Sequence, residues 1–218
     1  MGKIVVSASS LPAGRNMSSQ LDYIKKMQTY GADMYHLDIM DGLFVKNQTV
    51  DYTYFEQLKM SSALLFDVHL MVQYPTKVIK KYAKAGANIL TIHYEAFANN
   101  EILIKALKNI RKNGMMSGIA LDLETPVEVL EPIIKYCDLV LILTVKAGKG
   151  NQTFNESALK KIKAVKKMDS RVLVEVDGGM NKETAAKAVK AGADIIVSGS
   201  YIYNNDAYDA IQSLKGRN

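Results

Sequence analysis

Short apolar runs alternate with amphipathic stretches from one end of the 218-residue chain to the other. The apolar runs predict β-strands over residues 4–7, 34–39, 64–70, 89–93, 116–121, 139–144, 171–176 and 195–198. Between and after them, a helical spacing of apolar positions predicts helices over 18–30, 53–59, 75–85, 99–113, 126–136, 156–167, 182–191 and 206–214. Each predicted strand is thus followed by a predicted helix.

Three joints in this pattern are near copies: Tyr30-Gly31-Ala32-Asp33, Ala85-Gly86-Ala87-Asn88 and Ala191-Gly192-Ala193-Asp194. Each sets a glycine where a helix ends and a strand begins, the position at which a left-handed backbone closes a helix without steric cost. Eight β-then-α units with no linker or low-complexity stretch predict an α/β fold of one particular kind. It is a single (β/α)8 TIM barrel, one domain over residues 1–218, rather than an open doubly wound sheet.

In such a barrel, reactive groups project from the C-terminal ends of the strands. The run His36-Leu37-Asp38-Ile39-Met40-Asp41-Gly42 closes a strand with a histidine and a carboxylate two residues apart, which puts both on one face. Two further runs end alike, at His69 and at Asp177-Gly178-Gly179, and all three histidines of the chain (His36, His69 and His93) fall at predicted strand ends. His36, Asp38, His69 and Asp177 form a mixed nitrogen and oxygen set suited to a divalent ion such as zinc, iron or manganese. Asp38 and Asp177, on predicted strands two and seven, approach a bound substrate from different sides. One removes a proton beside a carbonyl and the other returns one to the opposite face, which amounts to epimerisation. A metal held by the same groups would polarise the carbonyl.

Asp67 and Glu175 precede His69 and Asp177 by two residues, so they fall one layer deeper on the same inward face. Met40 and Met71 stand two residues beyond proposed ligands and are aimed at the mouth as apolar cover, or pack in the core. Candidates for phosphate recognition are Gly148-Lys149-Gly150-Asn151, Gly178-Gly179 and Gly199-Ser200, which follow three successive strands.

Composition narrows the setting without changing this picture. Hydrophobic residues are 48% and charged residues 23%, and no apolar run is long enough to span a bilayer. The lone Cys137 permits no intrachain disulfide and the N-terminal run Ile4-Val5-Val6 is shorter than a signal-peptide core, so a cytoplasmic protein is expected. The net charge of +6 comes from lysines dispersed over helical segments, which reads as solvated helix faces rather than nucleic-acid binding. That charge also favours the approach of a small anion.

With these residues in place, the chain resembles the ribulose-phosphate 3-epimerase family, (β/α)8 enzymes that interconvert ketose phosphates at C3. The resemblance rests on His36-Leu37-Asp38-Ile39-Met40-Asp41-Gly42-Leu43-Phe44-Val45 with Asn47, and on Asp67-Val68-His69-Leu70-Met71-Val72 with Pro75. It is extended by Thr91-Ile92-His93-Tyr94-Glu95, Thr125-Pro126, Glu175-Val176-Asp177-Gly178-Gly179 and Gly199-Ser200. It implies that His36, Asp38, His69 and Asp177 bind one divalent ion (zinc, iron(II), manganese or cobalt) and that Asp38 and Asp177 are the acid-base pair. It further implies that Ser7 and His69 touch the substrate, and that Gly148, Lys149, Gly150, Asn151, Gly178, Gly179, Gly199 and Ser200 hold the phosphate. A homo-oligomer acting on a phosphorylated ketose is implied as well.

The chain departs from the family after predicted strand six, where Ala147-Gly148-Lys149-Gly150-Asn151-Gln152 replaces a Pro-Gly-Phe-Gly-Gly-Gln-like stretch, and at Lys46, which replaces a proline. These departures bring D-allulose 6-phosphate forward as a rival substrate to D-ribulose 5-phosphate. Two other readings compete: a Schiff-base aldolase using Lys146, and a sugar-phosphate binder without catalysis.

Overall fold

The computed structural model describes residues 3–49, 52–148 and 152–217. Eight parallel strands close into a barrel in chain order: β1 (Val5–Ser9), β2 (Met34–Met40), β3 (Leu65–Met71), β4 (Ile89–His93), β5 (Met116–Leu121), β6 (Leu139–Leu143), β7 (Leu173–Asp177) and β8 (Ile195–Ser198). The last strand pairs back onto the first, Val5 opposite Ile195. Around the barrel run α1 (Met17–Thr29), α2 (Tyr52–Met60), α3 (Ile79–Ala85), α4 (Asn100–Lys112), α5 (Ala158–Met168), α6 (Lys182–Ala191), α7 (Ser200–Tyr203) and α8 (Ala207–Leu214).

The strands are buried on both faces, so alternation along each one divides its residues between two cores. Outward positions such as Tyr35, Leu37, Phe66, Val68, Leu90 and Ile142 pack beneath the helices in the larger core. Inward positions Met34, Ile89, Ala120, Leu139, Leu141, Leu143 and Ile195 form a second, separate cluster inside the barrel. Polar residues on the same inward face, nearer the strand ends, therefore sit on an apolar plug, with only the C-terminal mouth open to them.

The three repeated joints do the same work. Gly31, Gly86 and Gly192 all take positive φ, at 83°, 91° and 116°. The acidic or amide residue two places on reaches back to the preceding strand, where its side-chain oxygen accepts a backbone N–H. Asp33 takes Val6 at 3.0 Å, Asn88 takes Phe66 at 2.8 Å and Asp194 takes Val174 at 2.8 Å. Asp138 does likewise with Ser117 at 2.8 Å, although its joint lacks the glycine. A basic side chain meets each of these groups: Lys215 at Asp33, Lys59 at Asn88, Arg111 at Asp138 and Lys166 at Asp194.

One predicted helix is corrected. Residues 126–136 fold as two 3-10 turns, Val127–Leu130 and Ile134–Tyr136. Pro132 lies between them, lacks the N–H a helix needs and clashes with the preceding turn. Strand β5 is therefore not followed by an α-helix. The predicted helix over 75–85 starts as a 3-10 turn at Pro75–Lys77 before α3. The short α7 is an addition, since four residues are too few to display a helical period.

Candidate metal and active site

Register brings the polar residues together. Asp38 on β2 lies directly opposite His69 on β3, and His36 opposite Asp67. One ligand atom each from His36, Asp38, His69 and Asp177 falls within 4.8 Å of the others, so three strands deliver four donors to one point. His36 Nε2 is 3.3 Å and His69 Nδ1 is 2.9 Å from the same oxygen, Asp38 Oδ1.

Beneath this group, His36 Nδ1–H donates to Asp67 Oδ2 at 2.6 Å, and the Ser7 hydroxyl donates to the same oxygen at 3.2 Å. The hydrogen bond to Asp67 fixes the ring so that the Nε2 lone pair of a neutral His36 points at Asp38. Glu175 is fully buried alongside, with an oxygen within 4.8 Å of one of Asp67, and the two carboxyls are placed to share a hydrogen bond. Among the described residues, the ion-pair contacts of Asp38, Asp67 and Glu175 are all with histidines. A group of four carboxyls, three of them buried, that faces two imidazoles is short of positive charge, and the donor set fits a divalent cation bound by nitrogen and oxygen.

Electrostatics differ sharply among these acids. Burial works to raise Asp38, but His36 and His69 outweigh it and hold its carboxyl well below the usual range. Burial raises Asp177 to about 7, with the Asp38 carboxylate adding to the effect. Burial and then the Asp67 carboxylate push Glu175 well above its ordinary value. Burial disfavours the charged form of His36 too, but Asp67 and Asp38 overcome it and raise the ring well above 6.5.

Asp38 and Asp177 line a cavity of about 610 Å³ at the barrel mouth, together with Met40, Gly148, Gly178, Gly179, Gly199 and Ser200. The double glycine is required twice over. Gly178 and Gly179 have φ of +116° and +61°, and a Cβ on Gly179 would lie 2.6 Å from the Phe154 backbone nitrogen. Across the mouth, Asn47 donates to the Gly148 carbonyl at 2.6 Å and so ties the loop after β2 to the loop after β6.

Several sequence expectations fall elsewhere. Ser7 is fully buried on Asp67, and the cavity wall near β1 is made by Ser9 and Ser10 instead. His69 belongs to the donor cluster but not to the wall, and Met71 is buried away from the cavity. Lys149, Gly150 and Asn151 lie outside the described residues. Lys146 is exposed and does not line the cavity, a poor place for an amine nucleophile. His93 stands behind His69, the two Nε2 atoms 2.9 Å apart.

Sequence reasoning also missed Gln20, which lines the cavity. Its amide donates to the carbonyls of Ser10 and Gly14, both at 2.7 Å, and pins the loop after β1. The signal was present: Gln20 is a polar residue on the buried stripe of α1 that otherwise reads Tyr23, Ile24 and Met27.

Barrel and mouth together define a (β/α)8 enzyme with a buried His–Asp group able to hold a metal ion. A solved structure of a mutant tryptophan synthase α-subunit from Pyrococcus furiosus superposes with a TM-score of 0.72 over 98% of both chains, at 14% identity, a likeness of fold alone. Residues 5–203 match the model of the ribulose-phosphate 3 epimerase family. The ribulose-phosphate 3-epimerase of Bacillus subtilis is 42% identical over 199 residues, covering 88% of this chain and 90% of that protein. Its counterpart from Synechocystis is 38% identical over 217 residues, covering 97% and 93%. The chain belongs to the ribulose-phosphate 3-epimerase family.

Proposed function

We propose that this protein inverts C3 of a ketose phosphate, interconverting D-ribulose 5-phosphate and D-xylulose 5-phosphate, with a divalent ion held by His36, Asp38, His69 and Asp177. The observation that carries this reading is the pair of cavity-lining carboxyls from β2 and β7 whose environments push their proton affinities apart, Asp38 down and Asp177 up to about 7. The sugar lies with C3 between them and its phosphate against Gly178, Gly179, Gly199 and Ser200. The ionised carboxylate takes the C3 proton and leaves a planar enediolate. The protonated carboxyl then delivers its own proton to the opposite face, and C3 is inverted with no other bond changed. The reverse reaction exchanges the two roles. When bound, the ion supplies Lewis-acid polarisation of the C2 carbonyl, worth several kcal/mol at the enediolate-like transition state.

The cavity continues from the glycines to Arg15, Tyr203 and Asn204, which leaves room for a longer sugar and keeps D-allulose 6-phosphate as the rival substrate. Matched kinetics decide between the two. The expected result is a kcat/KM at least about tenfold higher for D-ribulose 5-phosphate, since a misfitted extra CHOH unit costs about 1.4 kcal/mol or more. A preference of that size for the hexulose phosphate would reverse the assignment.

A further inference from the structure

His93 ends β4 fully buried, off the cavity wall, and the metal and proton chemistry above makes no use of it. Its neighbours form an ordered chain. His93 Nδ1 is 3.0 Å from Glu95 Oε2, and the other Glu95 oxygen accepts the Asp122 backbone N–H at 2.9 Å and the Thr125 hydroxyl. The loop that supplies those two donors is itself fastened, because the Lys161 ammonium donates to the carbonyls of Asp122, Leu123 and Thr125 at 2.9, 2.6 and 2.7 Å. On its other side the His93 ring is covered by Phe44, with 4.8 Å between ring centroids.

This chain has a direction. A carboxylate only accepts, so His93 donates Nδ1–H to Glu95, and a neutral imidazole with its one N–H there offers Nε2 as an acceptor. The facing His69 Nε2, at 2.9 Å, must then carry its own hydrogen and donate it. What remains on His69 is Nδ1, which faces Asp38 Oδ1 at 2.9 Å; with the ring neutral, this sets a lone pair against an acceptor. Such a contact calls for a cation shared between the two atoms.

We propose that His93 is a positioning residue: anchored by Glu95, it accepts the Nε2–H of His69 and so fixes the ring and tautomer that present Nδ1 to the metal ion. The inference rests on the reading of His69 as a metal ligand. It gives that ligand an imidazole-to-carboxylate support of the kind that orients metal-binding histidines, as Asp67 does for His36.

The test is metal affinity, measured on purified protein stripped of metal and titrated with Co(II) by its visible absorption and with Zn(II) against a chromophoric chelator. His93→Phe keeps a ring but removes the acceptor, and should weaken binding by about 10–100-fold. His93→Gln keeps an acceptor oxygen and should recover most of that loss. Binding by His93→Phe within about twofold of wild type, or no recovery in His93→Gln, would overturn the role. If His93→Phe does not fold, Glu95→Met removes the anchor instead: several-fold weaker binding supports the role, and wild-type affinity refutes it. Failure of the wild type to bind either ion refutes the metal site itself, a result distinct from a wild type and His93→Phe that bind alike.

Discussion

Asp38 and Asp177 are the same residue in two settings, and the setting decides their chemistry. Asp38 has two imidazoles on one oxygen and stays ionised, whereas Asp177 faces burial and a neighbouring anion and retains a proton up to about pH 7. A base and an acid therefore stand ready together near neutrality without any difference in side chain. In the proposed mechanism, replacing either with asparagine removes one of the two proton carriers. Asp38→Asn and Asp177→Asn are each expected to lower kcat by about 10²–10⁴-fold, with a circular dichroism spectrum matching the wild type. A variant that keeps about a tenth or more of wild-type turnover would place the proton transfer elsewhere.

Among the elements, what could be read from the sequence was what a period and a punctuation mark encode. The eight strands stand out as apolar runs, and they agree with the predicted ones within one or two residues. The glycine joints mark where helices stop, and the sequence displays the Asp or Asn two residues after each glycine, but not its grip on the preceding strand. That contact links residues about 20 or 30 apart, and no local pattern specifies it. Pro132 could have been read as a break in the helix expected over 126–136, but its weight was lost against an otherwise helical spacing. At the site, the donor cluster was legible because parity on a strand fixes which side chains share a face. The cavity wall was less so: Ser7 and Ser9 share a face by parity, and only the closed barrel reveals which of them is buried on Asp67 and which reaches the cavity. The joints make a prediction of their own. Asp194→Ala removes the acceptor for the Val174 N–H and the 2.6 Å partner of Lys166. The expected cost is about 1–3 kcal/mol, seen as a drop in melting temperature of roughly 2–4 °C per kcal/mol, with kcat/KM unchanged. Lost activity at an unchanged melting temperature would contradict a purely structural clamp.

Taken whole, the molecule separates its two tasks along the barrel axis. Helix-to-strand joints at one end hold the ring together by repeated side-chain clamps, an apolar plug fills the interior, and the strand ends at the other carry the donors, the carboxyl pair and the glycine-lined cavity. The dispersed positive charge lends a field that favours a phosphorylated sugar over a neutral one. No described helix is long and apolar enough to cross a membrane. The central claim is that two carboxyls exchange protons with C3 on opposite faces, and one measurement addresses it directly. The metal-loaded enzyme is incubated with D-ribulose 5-phosphate in deuterium oxide and followed by proton NMR. The account predicts D-xylulose 5-phosphate with deuterium at C3 and at no other carbon. Product whose C3 still carries the original hydrogen, or label that accumulates without inversion, would contradict it.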